Sequence, residues 1–131
     1  MSNEYAMVIT PAGFERLMAL FAGKSTTAGL YMAVGTGTTP PTKNDGLTAM
    51  EHAVYRAAAT IVQSGATGTW SLTVPAGTVS TSTDITELAI FDAASAGNML
   101  ARATRAPVTI TATKGQVFAW PISFEGGYGT S

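Results

Sequence analysis

Residues 116–124 read QVFAWPISF, and this stretch decides the fold class. Phe118, Trp120, Ile122 and Phe124 recur at period two, the spacing of a strand with one buried face. Pro121 lies among them and offers no N–H to a ladder, which predicts a strand at a sheet edge or beside a bulge. Working back, Val108 to Thr113 gives another strand, with Lys114-Gly115 as its turn. Met99 to Arg105 is the return limb of a hairpin whose outgoing limb is Ile85 to Ala94 and whose turn is Ser95-Ala96-Gly97-Asn98. Trp70, Leu72 and Val74 alternate and are closed by Pro75-Ala76-Gly77, and a Ser/Thr-rich connection, TVSTSTD, follows.

Upstream, Arg56 to Val62 (RAAATIV) reads as one strand. Gly29 to Val34 (GLYMAV) reads as a shorter one, with Leu30, Met32 and Val34 on one side. Six or seven short strands separated by turn residues predict a mainly β protein. The expected architecture is an antiparallel β-sandwich or a jelly-roll-like barrel with one short N-terminal helix.

That helix is expected over residues 10–23. Thr10 can cap it, Pro11 fits its first turn, and Gly23 stops it with Lys24 just beyond. Phe14, Leu17, Met18 and Phe21 recur at i, i+3, i+4 and i+7 and form one apolar stripe. Such a stripe is more often a core face than a partner site, although near a chain end it can also dock on a neighbouring subunit. Residues 1–9 are expected as an N-terminal arm, 28–124 as the β domain, and 125–131 as a flexible tail, all within a single domain. Two further features interrupt the strands. Residues 35–46, GTGTTPPTKNDG, form a long loop in which Gly and Pro forbid regular structure. Thr48-Ala49-Met50-Glu51 has the spacing of a capping box and predicts a short helical turn.

The composition narrows the chemistry. The 131 residues suit one domain, and 46% are hydrophobic, enough for a core without staples. There is no cysteine, which excludes disulfides, thiol nucleophiles and Cys-ligated metals. Seven basic residues stand against eight acidic ones, and charged residues are 11% of the chain, less than half the usual share. The cations are scattered from Arg16 to Lys114 rather than gathered in a stripe, so nucleic acid is not an expected partner. No apolar run approaches the ~20 residues of a membrane span, so no membrane partner is expected, and the N-terminus lacks the basic start of a secretory signal. A surface this poor in charge suits a protein covered by neighbours in an assembly, or a soluble domain with a Thr-rich exterior.

Each motif that could carry catalysis fails on spacing or on facing. Gly23-Lys24-Ser25 resembles the end of a phosphate loop, but five residues before Gly23 stands Met18, within the predicted helix. Gly35-Thr36-Gly37 begins like a dinucleotide fingerprint, but Pro40 occupies the third glycine's place. His52 is the only histidine, and no G-x-S-x-G elbow presents a serine to it. Asp84, Glu87 and Asp92 form the only local acid cluster; on a strand Glu87 and Asp92 face opposite ways, and Asp84 and Asp92 suit turns. No catalytic residue, cofactor or metal is expected, and the chain is read as a non-enzyme.

The segment ITELAIFDAASAGNMLARATRAPVTITATKGQVFAWPISF, residues 85–124, resembles a family of small virion proteins of tailed bacteriophages. In that family a G(L/I)FDAASGGN(L/M)LA core is typical. Ala89 stands where the family usually has glycine, and Ala96 replaces one turn glycine. The amphipathic helix, LYMAVGTGTTPPT, VYRAAATIV and WSLTVPAG come in the family's order, so the resemblance covers roughly residues 10–124. It implies a virion structural protein, assembled in the host cytoplasm. The leading expectation is a capsid decoration (cement) protein on the outer surface of the major capsid lattice. The alternative is a tail-fibre or baseplate module that binds a receptor or carbohydrate. The expected partners are the major capsid protein or other virion proteins, together with further copies of the chain in a homo-oligomer. The candidate interface residues are Tyr5, Met7 and Ile9 of the arm, Phe14, Leu17, Met18 and Phe21 of the helix stripe, and Thr39, Pro40 and Pro41 of the loop. A carbohydrate-binding or hydrolytic sandwich, using aromatics such as Trp70, Tyr31 or Tyr128, is the reading from a different class.

Overall fold

The computed structural model describes residues 6–42 and 48–123. In chain order these form β1 (Ala6–Ile9), α1 (Pro11–Phe21), β2 (Tyr31–Gly35), β3 (Ala53–Ala58), β4 (Thr60–Ser64), β5 (Thr67–Val74), β6 (Thr83–Phe91), β7 (Met99–Ile110) and β8 (Gln116–Ser123). The strands make two antiparallel sheets: a five-stranded one in the order β1-β7-β6-β2-β3 and a three-stranded one in the order β4-β5-β8. The arrangement is sandwich-like and does not close into a barrel.

The period-two patterns place the core between the sheets. Leu72 and Val74 of β5 and Phe118, Trp120 and Ile122 of β8 face Met32 and Val34 of β2, Leu88 and Ile90 of β6, and Ala101 and Ala103 of β7. Trp120 is fully buried and sits opposite Trp70 in the β5–β8 register. Pro121 is opposite Thr69 on β8, which pairs with β5 alone among the described residues, so the proline stands on an edge strand as its missing N–H demands.

Four expectations change. Met99–Arg105 and Val108–Thr113, read as two strands, belong to one, β7, which runs unbroken from Met99 to Ile110 along β6. Residues 6–9 are stitched into the five-stranded sheet beside Ala101–Thr104 rather than extending as an arm, because Met7 pairs with Ala103 and Ile9 with Ala101 on the core side. RAAATIV is two strands in two different sheets. The chain crosses between them at Ala59, whose N–H donates to the Leu30 carbonyl, 2.9 Å away. Residues 48–51 form no helical turn, since the Glu51 carboxylate reaches across to another loop instead of back onto its own backbone. Phe124 and the tail 125–131 lie outside the described residues.

The large sheet has a second buried face. Ala33, Ala89, Phe91 and Met99 pack there, with Tyr31 and Met50 against them. The same face carries two buried charges, Glu87 and Arg102. β6 is therefore buried on both sides from Glu87 to Phe91, which explains its nearly continuous apolar sequence.

Candidate interaction surface

The helix forms as its residues dictate. Thr10 Oγ1 accepts from the Gly13 N–H at 3.0 Å, Pro11 opens the first turn, and Gly23 ends the helix in the left-handed region at φ 72°. The same threonine ties it to the sheet: its N–H donates to the Leu100 carbonyl at 3.0 Å and its hydroxyl to the Met99 carbonyl at 2.6 Å.

Contact with the sandwich is made by the smallest side chains. A Cβ on Gly13 would stand 2.0 Å from the Leu100 carbonyl oxygen, so only glycine allows this approach. Ala12 packs against the core beside it. Arg16, on the same side, donates to the Thr27 carbonyl at 3.1 Å and pairs with Asp92 at 2.9 Å. The face that docks is thus small and polar, and the apolar stripe points away from the sheets. Phe14 is 60% exposed, Leu17 36%, Met18 65% and Phe21 91%. The stripe is therefore not a core face of this sandwich, contrary to the commoner reading of such a pattern.

An apolar groove of about 530 Å³ continues from the stripe. Leu17 and Leu20 form its helix wall, Ile61 and Trp70 its opposite wall, and Ile90 and Leu100 lie at the sheet side. Leu30, half exposed, stands at the rim. Trp70 is fixed by its indole N–H, which donates to the Gly29 carbonyl at 2.8 Å. Neither Trp70 nor Tyr31 is an exposed stacking platform, since both are partly buried; Tyr128 lies outside the described residues.

The loop after β2 is built on a polar cluster that local sequence patterns do not show. The Glu87 carboxylate accepts from the N–H groups of Gly37, Glu51 and His52 and from Arg102 Nε at 2.7 Å. Arg102 Nη1 donates to the Thr39 carbonyl at 2.9 Å, and Nη2 lies 3.7 Å from Glu51 without a hydrogen bond. Glu51 in turn accepts from the N–H groups of Thr38 and Thr39 and from the Thr39 hydroxyl. Burial pushes the Glu87 carboxyl up, but Arg102 and the N–H groups of Glu51 and His52 outweigh it and hold it below the usual carboxylate range. The Thr39 hydroxyl and N–H hold Glu51 low as well. Among the described residues of the cluster both carboxylates are engaged, and each oxygen of Glu87 fastens backbone.

The acid cluster read from sequence is separated in space by function. Asp84 accepts from the Thr109 hydroxyl across the β6–β7 ladder, and Glu87 fastens the loop. Asp92 accepts from the N–H and side-chain amide of Asn98, closing the hairpin turn, and pairs with Arg16. His52 is exposed, and its backbone rather than its ring serves the loop. Among the described residues no group of three or more His, Cys, Asp or Glu could hold a metal ion.

The candidate interface residues therefore divide. Phe14, Leu17, Met18 and Phe21 form one exposed patch, whereas Met7 and Ile9 are half-buried in β1. Thr39 and Pro40 are exposed, although the Thr39 hydroxyl and carbonyl are engaged by Glu51 and Arg102, and Pro41 is buried. Tyr5 lies outside the described residues. The groove was not foreseen; the glycines at 13 and 29, both in close contact with larger groups, were its only sequence sign. Comparison with family models, curated proteins and solved structures gives no match to this chain.

Proposed function

We propose that the protein is a non-enzymatic structural protein of a tailed-bacteriophage virion, a capsid decoration (cement) protein seated on the outer surface of the major capsid lattice. The observation that carries this reading is the resemblance across residues 85–124, the stretch that forms β6, the Asp92–Asn98 turn, β7 and β8. The exposed apolar stripe and its adjoining groove support it, because a protein that works by being held against neighbours needs a face of this kind. Holding a lattice requires no bond chemistry; apolar burial at about 25 cal/mol per Å², repeated at each contact, is sufficient.

The test is stoichiometry and position. Purified particles should carry hundreds of copies, and antibody labelling should fall on heads. A few copies per particle, with label confined to tails, would replace this reading with the tail-fibre or baseplate module that the same resemblance allows. Absence from purified particles would remove both.

A further inference from the structure

We infer that the helix stripe is a self-association surface, on which two copies of the chain pair helix α1 against helix α1 in antiparallel fashion about a two-fold axis. The stripe is symmetric about its own midpoint. Phe14, Leu17, Met18 and Phe21 read aromatic, aliphatic, aliphatic, aromatic, centred between residues 17 and 18. A two-fold axis through that point lays Phe14 of one copy over Phe21 of the other, and Leu17 over Met18. A two-fold interface needs such self-complementarity, because the same patch must serve both sides.

Charge permits the pairing. No charged side chain lies within the stripe. The symmetry sets Glu15 against Leu20 and Arg16 against Ala19, so no like charges meet. Arg16 is already held by Asp92 and the Thr27 carbonyl. The helix alone supplies part of the area. With aromatic side chains presenting roughly 150–250 Å² each and Leu and Met no more than that, the four exposed fractions come to at most roughly 500 Å² per copy, short of the ~800 Å² of a standard interface, so the surface beside the helix must supply the rest. Leu30 and the rim of the groove continue the surface beyond the helix.

The pairing goes beyond the virion reading and does not rest on it. A dimer missing from particles would sink that reading alone, and a monomer found on particles would sink this one alone.

Because the chain has no cysteine, single cysteines report the register without background. The full chain is first followed by sedimentation velocity from low micromolar to submillimolar concentration; a dimer is expected, and a monomer throughout overturns the inference. Met18→Cys lies within about 1.5 Å of the axis along the helix and should form a covalent dimer under mild oxidation. Phe14→Cys and Phe21→Cys each lie about 10 Å from their own copies along the helix, too far for a disulfide. Neither should cross-link alone, but an equimolar mixture of the two should. Cross-linking of Phe21→Cys alone as readily as in the mixture would overturn the antiparallel register. Met18→Lys, at an exposed position, should keep the fold by circular dichroism and weaken the dimer about tenfold or more; an unchanged dimer also counts against the stripe.

Discussion

Arg102 and Glu87 are diagonal neighbours on β7 and β6, with 2.7 Å between Nε and Oε2, and neither side chain reaches solvent. Their pairing is only half of the arrangement. The carboxylate also takes three backbone N–H groups from residues 37, 51 and 52, so two loop limbs hang from a single side chain.

Removing one partner strands the other in a dry site. Arg102→Met should therefore lower unfolding stability by about 3–5 kcal/mol. The double variant Glu87→Leu with Arg102→Met, which removes both charges, should not recover the loss, because three loop N–H groups then lack an acceptor. Urea titration with an unchanged slope is the measurement. Full recovery in the double variant would show that the backbone bonds matter little.

Acid should act through the same group. Glu87, Glu51 and Asp92 are all held below the ordinary carboxylate range. For Glu87 and Asp92 burial pushes upward and hydrogen bonds with charge partners outweigh it; for Glu51 the Thr39 hydroxyl is the main cause. A carboxyl with a depressed folded pKa gives stability that is present above the unfolded value, about 4, and is lost as pH falls through the folded value. The urea midpoint should stay level near neutrality and fall steeply below about pH 4. Glu87→Gln should flatten that fall, and an unchanged acid limb in this variant would assign it to other groups.

Ala96 sits at φ 54° in the hairpin turn, where a Cβ is strained, and is followed by Gly97 at φ 73°. Ala96→Gly should stabilise the protein by roughly 0.5–1 kcal/mol, the relief of strain exceeding the added entropy of the unfolded chain. A rise in melting temperature of a few degrees would show it. A fall would mean that the turn adapts to alanine at no cost.

Gly13→Ala tests how the helix docks. Alanine favours an isolated helix by about 1 kcal/mol, yet here its Cβ would collide with the Leu100 carbonyl. A net loss of about 1–3 kcal/mol is expected, as for overpacked sites. Protection of the Thr10 N–H in hydrogen exchange should drop with it.

The β architecture was legible because its signal is local. Phe118, Trp120 and Ile122 alternate within one strand, and the Asp92–Asn98 turn carries its own residues. The helix was legible for the same reason, from Thr10 and Pro11. Its orientation was not. Periodicity reveals an apolar stripe but not which neighbours stand nearby, and here Gly13, with no side chain to score, defines the docked face. Glu87 stands out in the sequence only as one of three acids; its role in fastening the loop is not legible there, because its partners lie 15 to 50 residues away and three of them are backbone groups that any sequence supplies. The switch at Ala59 was hidden by an uninterrupted run of small and branched residues.

The strand order has a consequence for how the molecule comes into being. Ala6 is paired with Thr104, and β5 finds its second neighbour only in β8, which begins at Gln116. A growing chain released residue by residue can make the β2–β3 and β4–β5 hairpins early. Neither sheet can be completed until most of the sequence has emerged. Assembly is thus delayed and then nearly simultaneous, on the slow millisecond-to-second scale of non-local β topologies. During that interval the unpaired β2 and β5 edges are the surfaces most open to mispairing with another chain.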